Sequence, residues 1–315
     1  MMKRGQYQKI FSGDASVFGS TAVLYGGLSA EREVSIKSGK AVLAAMLQRG
    51  VAAVGIDAAQ DIVKKLLEVN PDRVFIALHG PGGEDGKIQA VLEWLGIPYT
   101  GSAHAASALA MDKLQTKRVW QSIDLPTPKF SELNAHSDWK NIVETLSGEV
   151  FVKPVHEGSS IGMGIASTAE ELEKFYQVAA RYDAEVIAEK RIIGTEYTTT
   201  ILNGQVLPTI LLKPANSFYD YDAKYQSDKT QYICPCGLGN AKLDELEQLA
   251  YTAFNKIGCK GWGRVDIMAD HSGNFYLLEV NTVPGMTDHS LVPMAAKQVG
   301  LNFDDLVLEI LMQTV

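Results

Sequence analysis

The stretch GWGRVDIMADHSGNFYLLEVNTVPG, residues 261–285, decides how the chain is read. Two apolar runs are separated by His271-Ser272-Gly273-Asn274, a turn-forming tetrad, so the stretch reads as a β-hairpin. Side chains two apart in a strand point the same way. Arg264, Asp266 and Met268 therefore fall on one face of the first strand, and Leu277, Glu279 and Asn281 on one face of the second. Asp266, Glu279 and Asn281 offer only oxygen donors, which hard divalent cations such as Mg²⁺ prefer. The bland alternative is a buried ion pair of Arg264 with Asp266 or Glu279. Gathering three oxygen donors and a guanidinium on paired faces is costly to desolvate, so stability alone does not explain it, and a metal site is the favoured reading.

Upstream, the chain alternates strand and helix. TAVLYGG (21–27), a helical-period segment with Val34, Leu43 and Leu47, AAVGID (52–57), a helix near 60–68, RVFIAL (73–78) and a helix near 87–95 follow one another. That alternation predicts a parallel sheet covered by helices, in a unit running to about residue 111. After Pro126 and Pro128 the pattern changes. Strands at 149–154 and 185–190 flank a helix at 168–182, and 195–212 reads as a hairpin turning at Asn203-Gly204. Helices are expected at 242–257, 288–299 and 303–313, which makes the second half α+β. Residues 1–20 are polar and Gly/Ser-rich and read as a loosely ordered extension. Residues 213–240 are polar-aromatic with little period; long segments of this kind are often lids.

Hydrophobic residues make up 46% and charged residues 21%, the balance of a soluble globular protein. A net charge of −8 argues against nucleic-acid binding through bulk charge but leaves room for a local basic site facing a small polyanion. Cys234, Cys236 and Cys259 form neither a disulfide framework nor the two ligand pairs of a structural zinc. No apolar run approaches the ~20 residues of a membrane span, and Lys3 and Arg4 precede no apolar signal segment. A cytoplasmic protein without membrane or nucleic-acid partners is expected.

A metal held by oxygens usually accompanies phosphate. FVKPVHEGSSIGMG (151–164) reads as a strand ending at Lys153, then a Gly/Ser-rich loop whose backbone N–H groups suit phosphate. It lacks the spacing of a P-loop or a Rossmann fingerprint, and a plain loop fits it about as well. Lys113 in MDKLQTK is a weak signal, because most helix lysines are simply solvated. EVIAEKRIIGTE (185–196) places Glu189 and Glu196 around a connecting segment suited to an adenine and a ribose, although solvated charges are the simpler reading of that stretch alone. ALHGPGGEDG (77–86) puts His79 at a strand end, where open α/β sheets bind ligands, and Glu84 and Asp85 read as partners of the following helix dipole. In GGLSAERE (26–33), Ser29 suits an N-cap, and Glu31 and Glu33 are either dipole partners or ligand groups. Lys224 and Tyr225 are the tips of the expected lid.

Together, HGPGGEDGKIQA and GRVDIM…LLEVNTVPG resemble the two signatures of the D-alanine–D-alanine ligase family, within the ATP-grasp superfamily. GGLSAEREVS, MDKLQTK, FVKPVHEGSSIGM and FYDYDAKY match the same family in the same order, over roughly residues 21–315. The resemblance implies an α/β plus α+β chain: after the extension 1–20, an N-terminal parallel-sheet domain (21–111), a central ATP-grasp subdomain (112–196), and a C-terminal one (197–315) with its lid at 213–232. It implies ATP-dependent joining of two D-alanines for peptidoglycan precursor synthesis, with ATP between the last two parts and two Mg²⁺ ions, Mn²⁺ being possible, at Asp266, Glu279 and Asn281. Lys113, Lys153, Glu189, Lys190, Glu196 and Lys224 resemble nucleotide ligands. Glu31, near His79, resembles the residue that orients the first D-alanine, with Ser159 and Tyr225 in its network. Arg264 and the Gly285 backbone resemble the groups on the reacting carboxyl and its oxyanion, and Ser290 and Leu291 the site of the second carboxylate. A homodimer is expected. Arg191 departs from the family, standing where an aromatic often lies near the adenine. Other readings are a ligase joining a different carboxylate and amine, and a non-catalytic nucleotide sensor. The latter should have lost some of Lys153, Asp266, Glu279 and Asn281, and all are present.

Overall fold

TAVLYGG forms β1 (Ser20–Tyr25), whose Thr21, Ala22, Val23 and Leu24 are all buried. A strand buried on both faces is characteristic of a parallel sheet under helices. β1 lies between β2 (Ala52–Asp57) and β3 (Arg73–Ile76), parallel to both, with helices Arg32–Gln48 and Ile62–Val69 as the connections. The computed structural model describes residues 6–11, 13–158, 160–213, 230–287 and 289–315. Ser159, Lys224, Tyr225 and residues 214–229 of the expected lid lie outside the described residues.

Beyond residue 130 the described sheets are antiparallel. β4 (Phe130–Leu133), β5 (Val150–Pro154), β6 (Gly164–Ala166) and β7 (Val186–Lys190) pair in the order β4-β7-β5-β6. β8 (Gly194–Leu202), β9 (Gln205–Val206), β10 (Ile210–Lys213), β11 (Gln231–Ile233), β12 (Trp262–Asp270) and β13 (Phe275–Asn281) form the other, ordered β11-β10-β8-β12-β13 with β9 also on β8. Asn203 and Gly204 both take positive φ, 50° and 73°, which a tight hairpin turn demands. The strand after that turn is short: β9 leaves β8 at Val206, and β10 rejoins it with Ile210 opposite Thr198.

The β12–β13 hairpin differs from the expected alternation in one respect. Arg264 pairs with Asn281 and Asp266 with Glu279, but Ile267 pairs with Leu277, so Leu278 is an extra residue. Such a bulge re-aims the strand's side chains. Leu277 consequently packs into the buried core instead of sharing a face with Glu279 and Asn281, and the polar face is cleared of the leucine.

One apolar core joins the parallel sheet to the C-terminal helices Leu291–Gln298 and Phe303–Leu311, and it includes Trp262, the first residue of β12, tilted against Phe75 of β3 at 6.2 Å. The hairpin is thus anchored directly on the N-terminal layer. The N-terminal segment, expected to be loose, is tied down where it is described. Phe18 is buried, and buried Glu309 accepts from Tyr7 Oη (2.9 Å), Ile10 N (3.0 Å) and Phe11 N (3.1 Å). Hydrogen bonds to a charged acceptor contribute about 1.5–3 kcal/mol each at most. Glu309→Ala is expected to lower stability by about 2–3 kcal/mol in urea unfolding while leaving nucleotide affinity unchanged.

Candidate active site

Asp266 is the hub of the hairpin face. It is buried and accepts from Arg264 Nε and Nη2 (both 2.9 Å), Thr198 Oγ1 (2.6 Å) and Asn281 Nδ2 (3.0 Å). Because Asn281 spends its amide nitrogen on Asp266, its carbonyl oxygen is left as an acceptor. Glu279, paired with Asp266 across the strands, lies 3.6 Å from Lys113 Nζ. No cluster of three His, Cys, Asp or Glu suited to a metal exists among the described residues. The donor set is two carboxylates and one amide oxygen, without a soft ligand. That chemistry fits a hard cation that completes its shell with water and phosphate.

The lysines come from the central sheet and the helix beside it. Glu189 on β7 is buried between Lys153 of β5, 2.8 Å from Oε1, and Lys117 of helix Lys113–Ser122, 2.7 Å from Oε2. The Lys153 contact is a hydrogen bond. The Lys117 contact is an ion pair whose angle lies outside hydrogen-bond geometry, and Lys117 donates instead to Thr127 Oγ1 at 2.7 Å. Burial would raise the Glu189 pKa, but the two lysines outweigh it and hold the carboxyl below its ordinary value. Burial draws Lys117 down, and Glu189 offsets this only in part. Both carboxylate oxygens of Glu189 are therefore taken up by lysines. Lys113 Nζ donates to the carbonyl of Glu157 (2.6 Å), which joins the glycine-rich loop to Glu279. The sequence reading missed Lys117, although it follows Lys113 by four residues and so shares its helix face.

Lys190 closes β7, with its N–H on the Lys129 carbonyl, and Glu196 lies near the start of β8. Glu196 is two residues from Thr198 and so on the strand face that holds Asp266. Arg191 is ion-paired with Glu149 at 2.7 Å and lies over the Phe151 ring.

Glu31 opens helix Arg32–Gln48 and is buried. A β-carbon built on Gly80 would lie 2.7 Å from its Oε2, and one built on Gly158 3.3 Å. Its carboxylate thus sits where the His79-Gly80 loop meets the glycine-rich loop. His79 is buried with both ring nitrogens engaged: Nδ1 lies 2.9 Å from the Val283 carbonyl and Nε2 3.0 Å from Ser38 Oγ. Burial lowers its pKa, which favours the neutral ring. Ser290 is the N-cap residue of helix Leu291–Gln298; its Oγ accepts from Thr287 N at 2.8 Å and would be 2.9 Å from a β-carbon on Gly285. The Leu291 side chain belongs to the core, so it is its backbone that faces the helix N-terminus.

Glu84 corrects the sequence reading. Helix Lys87–Leu95 begins only after Gly86, and the Glu84 carboxyl accepts from Gly80 N (2.7 Å) and Val283 N (3.3 Å) instead of serving a dipole. Burial, then the nearby Glu31 carboxylate, push its pKa up to about 8.

An antiparallel sheet carrying buried lysines, joined through Lys113 to an oxygen-lined hairpin on a second antiparallel sheet, is the arrangement of the ATP-grasp class. The family model "D-ala D-ala ligase C-terminus" matches residues 119–312, and "D-ala D-ala ligase N-terminus" matches 58–102. A D-alanine–D-alanine ligase of Saccharophagus degradans is 62% identical over 98% of this chain and 98% of its own. The crystal structure of a D-alanine–D-alanine ligase from Bacillus anthracis superposes with a TM-score of 0.82 at 32% identity, covering 94% of this chain and 97% of that one. Its complex with ATP gives 0.80 at 30% identity, with the same coverage. The chain belongs to the D-alanine–D-alanine ligase family.

Proposed function

We propose that this protein joins two D-alanines to D-alanyl-D-alanine at the cost of ATP, supplying peptidoglycan precursors. The observation that supports this most strongly is the relative 62% identical over 98% of the chain, combined with a hairpin in which Arg264 and Asn281 both hydrogen-bond Asp266 and Glu279 stands opposite Asp266 on the paired strand.

A carboxylate is a poor acyl donor. In the proposed reaction a carboxylate oxygen of the first D-alanine attacks the γ-phosphorus of ATP, ADP leaves, and an acyl phosphate results. The amine of the second D-alanine then attacks the carbonyl carbon, the C–O bond to phosphate breaks, and inorganic phosphate departs as the amine gives up a proton. Glu31 holds the ammonium of the first D-alanine. Lys113, Lys153 and Lys190 face the nucleotide phosphates and adenine, with Glu196 on the ribose. Arg264 and the Gly285 N–H take the oxyanion of the tetrahedral intermediate, the use to which fixed donors are best suited. The N-terminus of helix Leu291–Gln298, opened by Ser290, takes the second carboxylate. Mg²⁺ ions at Asp266, Glu279 and Asn281 would neutralise charge on the transferring phosphoryl group. A homodimer and a cytoplasmic location belong to the same proposal. No helix among the described residues is long and apolar enough to cross a membrane.

ADP release tests the reading: it should require D-alanine and be absent with L-alanine or no amino acid. Stimulation by another carboxylate–amine pair alone would favour a different ligase, and no turnover with any would favour a sensor. Within the reading, Glu31→Gln is expected to raise the KM of the first D-alanine roughly 10- to 150-fold, the effect of about 1.5–3 kcal/mol for a lost charged partner. Nucleotide affinity should stay within about twofold. A helix-dipole role would give normal kinetics and only about 0.3–1 kcal/mol of lost stability.

A further inference from the structure

Loop 282–286 follows the hairpin and carries Gly285, yet its hydrogen bonds come from the N-terminal layer. Val283 is gripped on both sides of its backbone: its N–H donates to Glu84 Oε1 (3.3 Å) and its carbonyl accepts from His79 Nδ1 (2.9 Å). Met286 N–H donates to Ser38 Oγ at 3.1 Å. A carbonyl only accepts, so His79 must carry its proton on Nδ1, and Nε2 must then accept from the Ser38 hydroxyl. The bonds form a directed chain: Met286 N–H to Ser38 Oγ–H to the His79 ring to the Val283 carbonyl. They fall immediately before and after Pro284-Gly285. Ser38 is fully buried on helix Arg32–Gln48, and Glu84 is fastened to the same layer through Gly80 N.

We propose that Ser38 and Glu84, acting with His79, are positioning residues that brace the Val283–Met286 loop from both flanks and so hold the Gly285 N–H where the oxyanion forms. This rests on the reading of Gly285 given above. It also explains why the brace belongs to the layer that carries Glu31: Gly80, whose N–H binds Glu84, lies against the Glu31 carboxylate. Seating the first substrate and aiming the oxyanion donor are thereby functions of one rigid unit. A donor must sit within a few tenths of an ångström of the developing charge to be effective, and a shift of about 1 Å costs up to roughly 100-fold in rate.

Glu84→Ala removes the acceptor of both the Gly80 and the Val283 N–H groups. Ser38→Ala removes the acceptor of Met286 and the donor to His79. Steady-state kinetics on full-length protein, with nucleotide affinity and melting temperature measured alongside, should show kcat reduced roughly 10- to 100-fold in each variant. Nucleotide affinity should stay within about twofold and the KM of the first D-alanine should change less than kcat. Ser38→Ala combined with His79→Gln should cost much less than the product of the single effects, because both break one chain. Parent-like kcat in both single variants overturns the proposal. So does a fall in nucleotide affinity as large as the fall in kcat, which marks general disruption. If the parent shows no D-alanine-dependent ADP release, it is the proposed function that fails.

Discussion

Asp266→Asn is expected to reduce ligation per folded molecule by at least about 10³-fold, the upper range for removing a single electrostatic element of a site. Two losses combine. A neutral amide is a poorer ligand for a hard cation than an anionic oxygen. It also presents N–H₂ to a pocket in which Arg264, Thr198 and Asn281 already donate, so the guanidinium loses its bidentate partner and its aim. Glu279→Gln gives a useful contrast. Glu279 has Lys113 at 3.6 Å, whereas Asp266 takes the bidentate pair, so this change should suppress activity with little loss of stability, while Asp266→Asn lowers both. Activity normalised to folded fraction, measured for both variants, separates a metal site from a structural ion pair. If turnover per folded molecule survives in both while Asp266→Asn alone melts early, the carboxylates serve only to hold Arg264.

How much of this was legible depended on how local each signal was. The hairpin could be read because a turn tetrad and period-2 polarity sit within one stretch, and the parallel sheet because strand and helix alternate. The bulge could not: Leu277-Leu278 is two adjacent leucines, and only the register of β12 decides which is extra. Glu84 was misread because an acid shortly before a helix resembles a dipole partner; that it reaches Val283, 199 positions away, is a fact of tertiary structure. The N-terminal segment looked loose because its partner, Glu309, lies some 300 residues along the chain, a separation of 302 for Tyr7. Short strands such as Phe130–Leu133 carry too few residues to show a period. In Lys117 the signal was present as a spacing but was masked by residue type, since lysine on a helix is ordinarily solvated.

Lys117→Met is expected to cost about 3 kcal/mol of stability, the lower end of what breaking a buried ion pair costs, because Lys153 still neutralises Glu189. Methionine matches the length of the lysine stem, so packing changes little and the loss is chiefly electrostatic. The pH dependence has a definite sign. The folded-state pKa of Glu189 is lowered, so its ion pairing stabilises the protein above the ordinary carboxyl range and is lost as acid titrates the folded carboxylate. The gap in urea stability between parent and variant should therefore be widest near neutrality and close as the pH falls. Glu189→Gln alone should be worse than the double change Lys117→Met with Glu189→Gln, since the single change strands Lys117 and the double removes one charge of each sign. Lys117 also bonds Thr127, whose hydroxyl donates to the Leu277 carbonyl at 2.9 Å, so this ion pair ties the central sheet to the β12–β13 hairpin beside its bulge. Loss of nucleotide affinity in the folded Lys117→Met protein should accompany the loss of stability. A variant within about 1 kcal/mol of the parent at neutral pH would show instead that Lys153 alone satisfies Glu189 and that Lys117 is a passive filler.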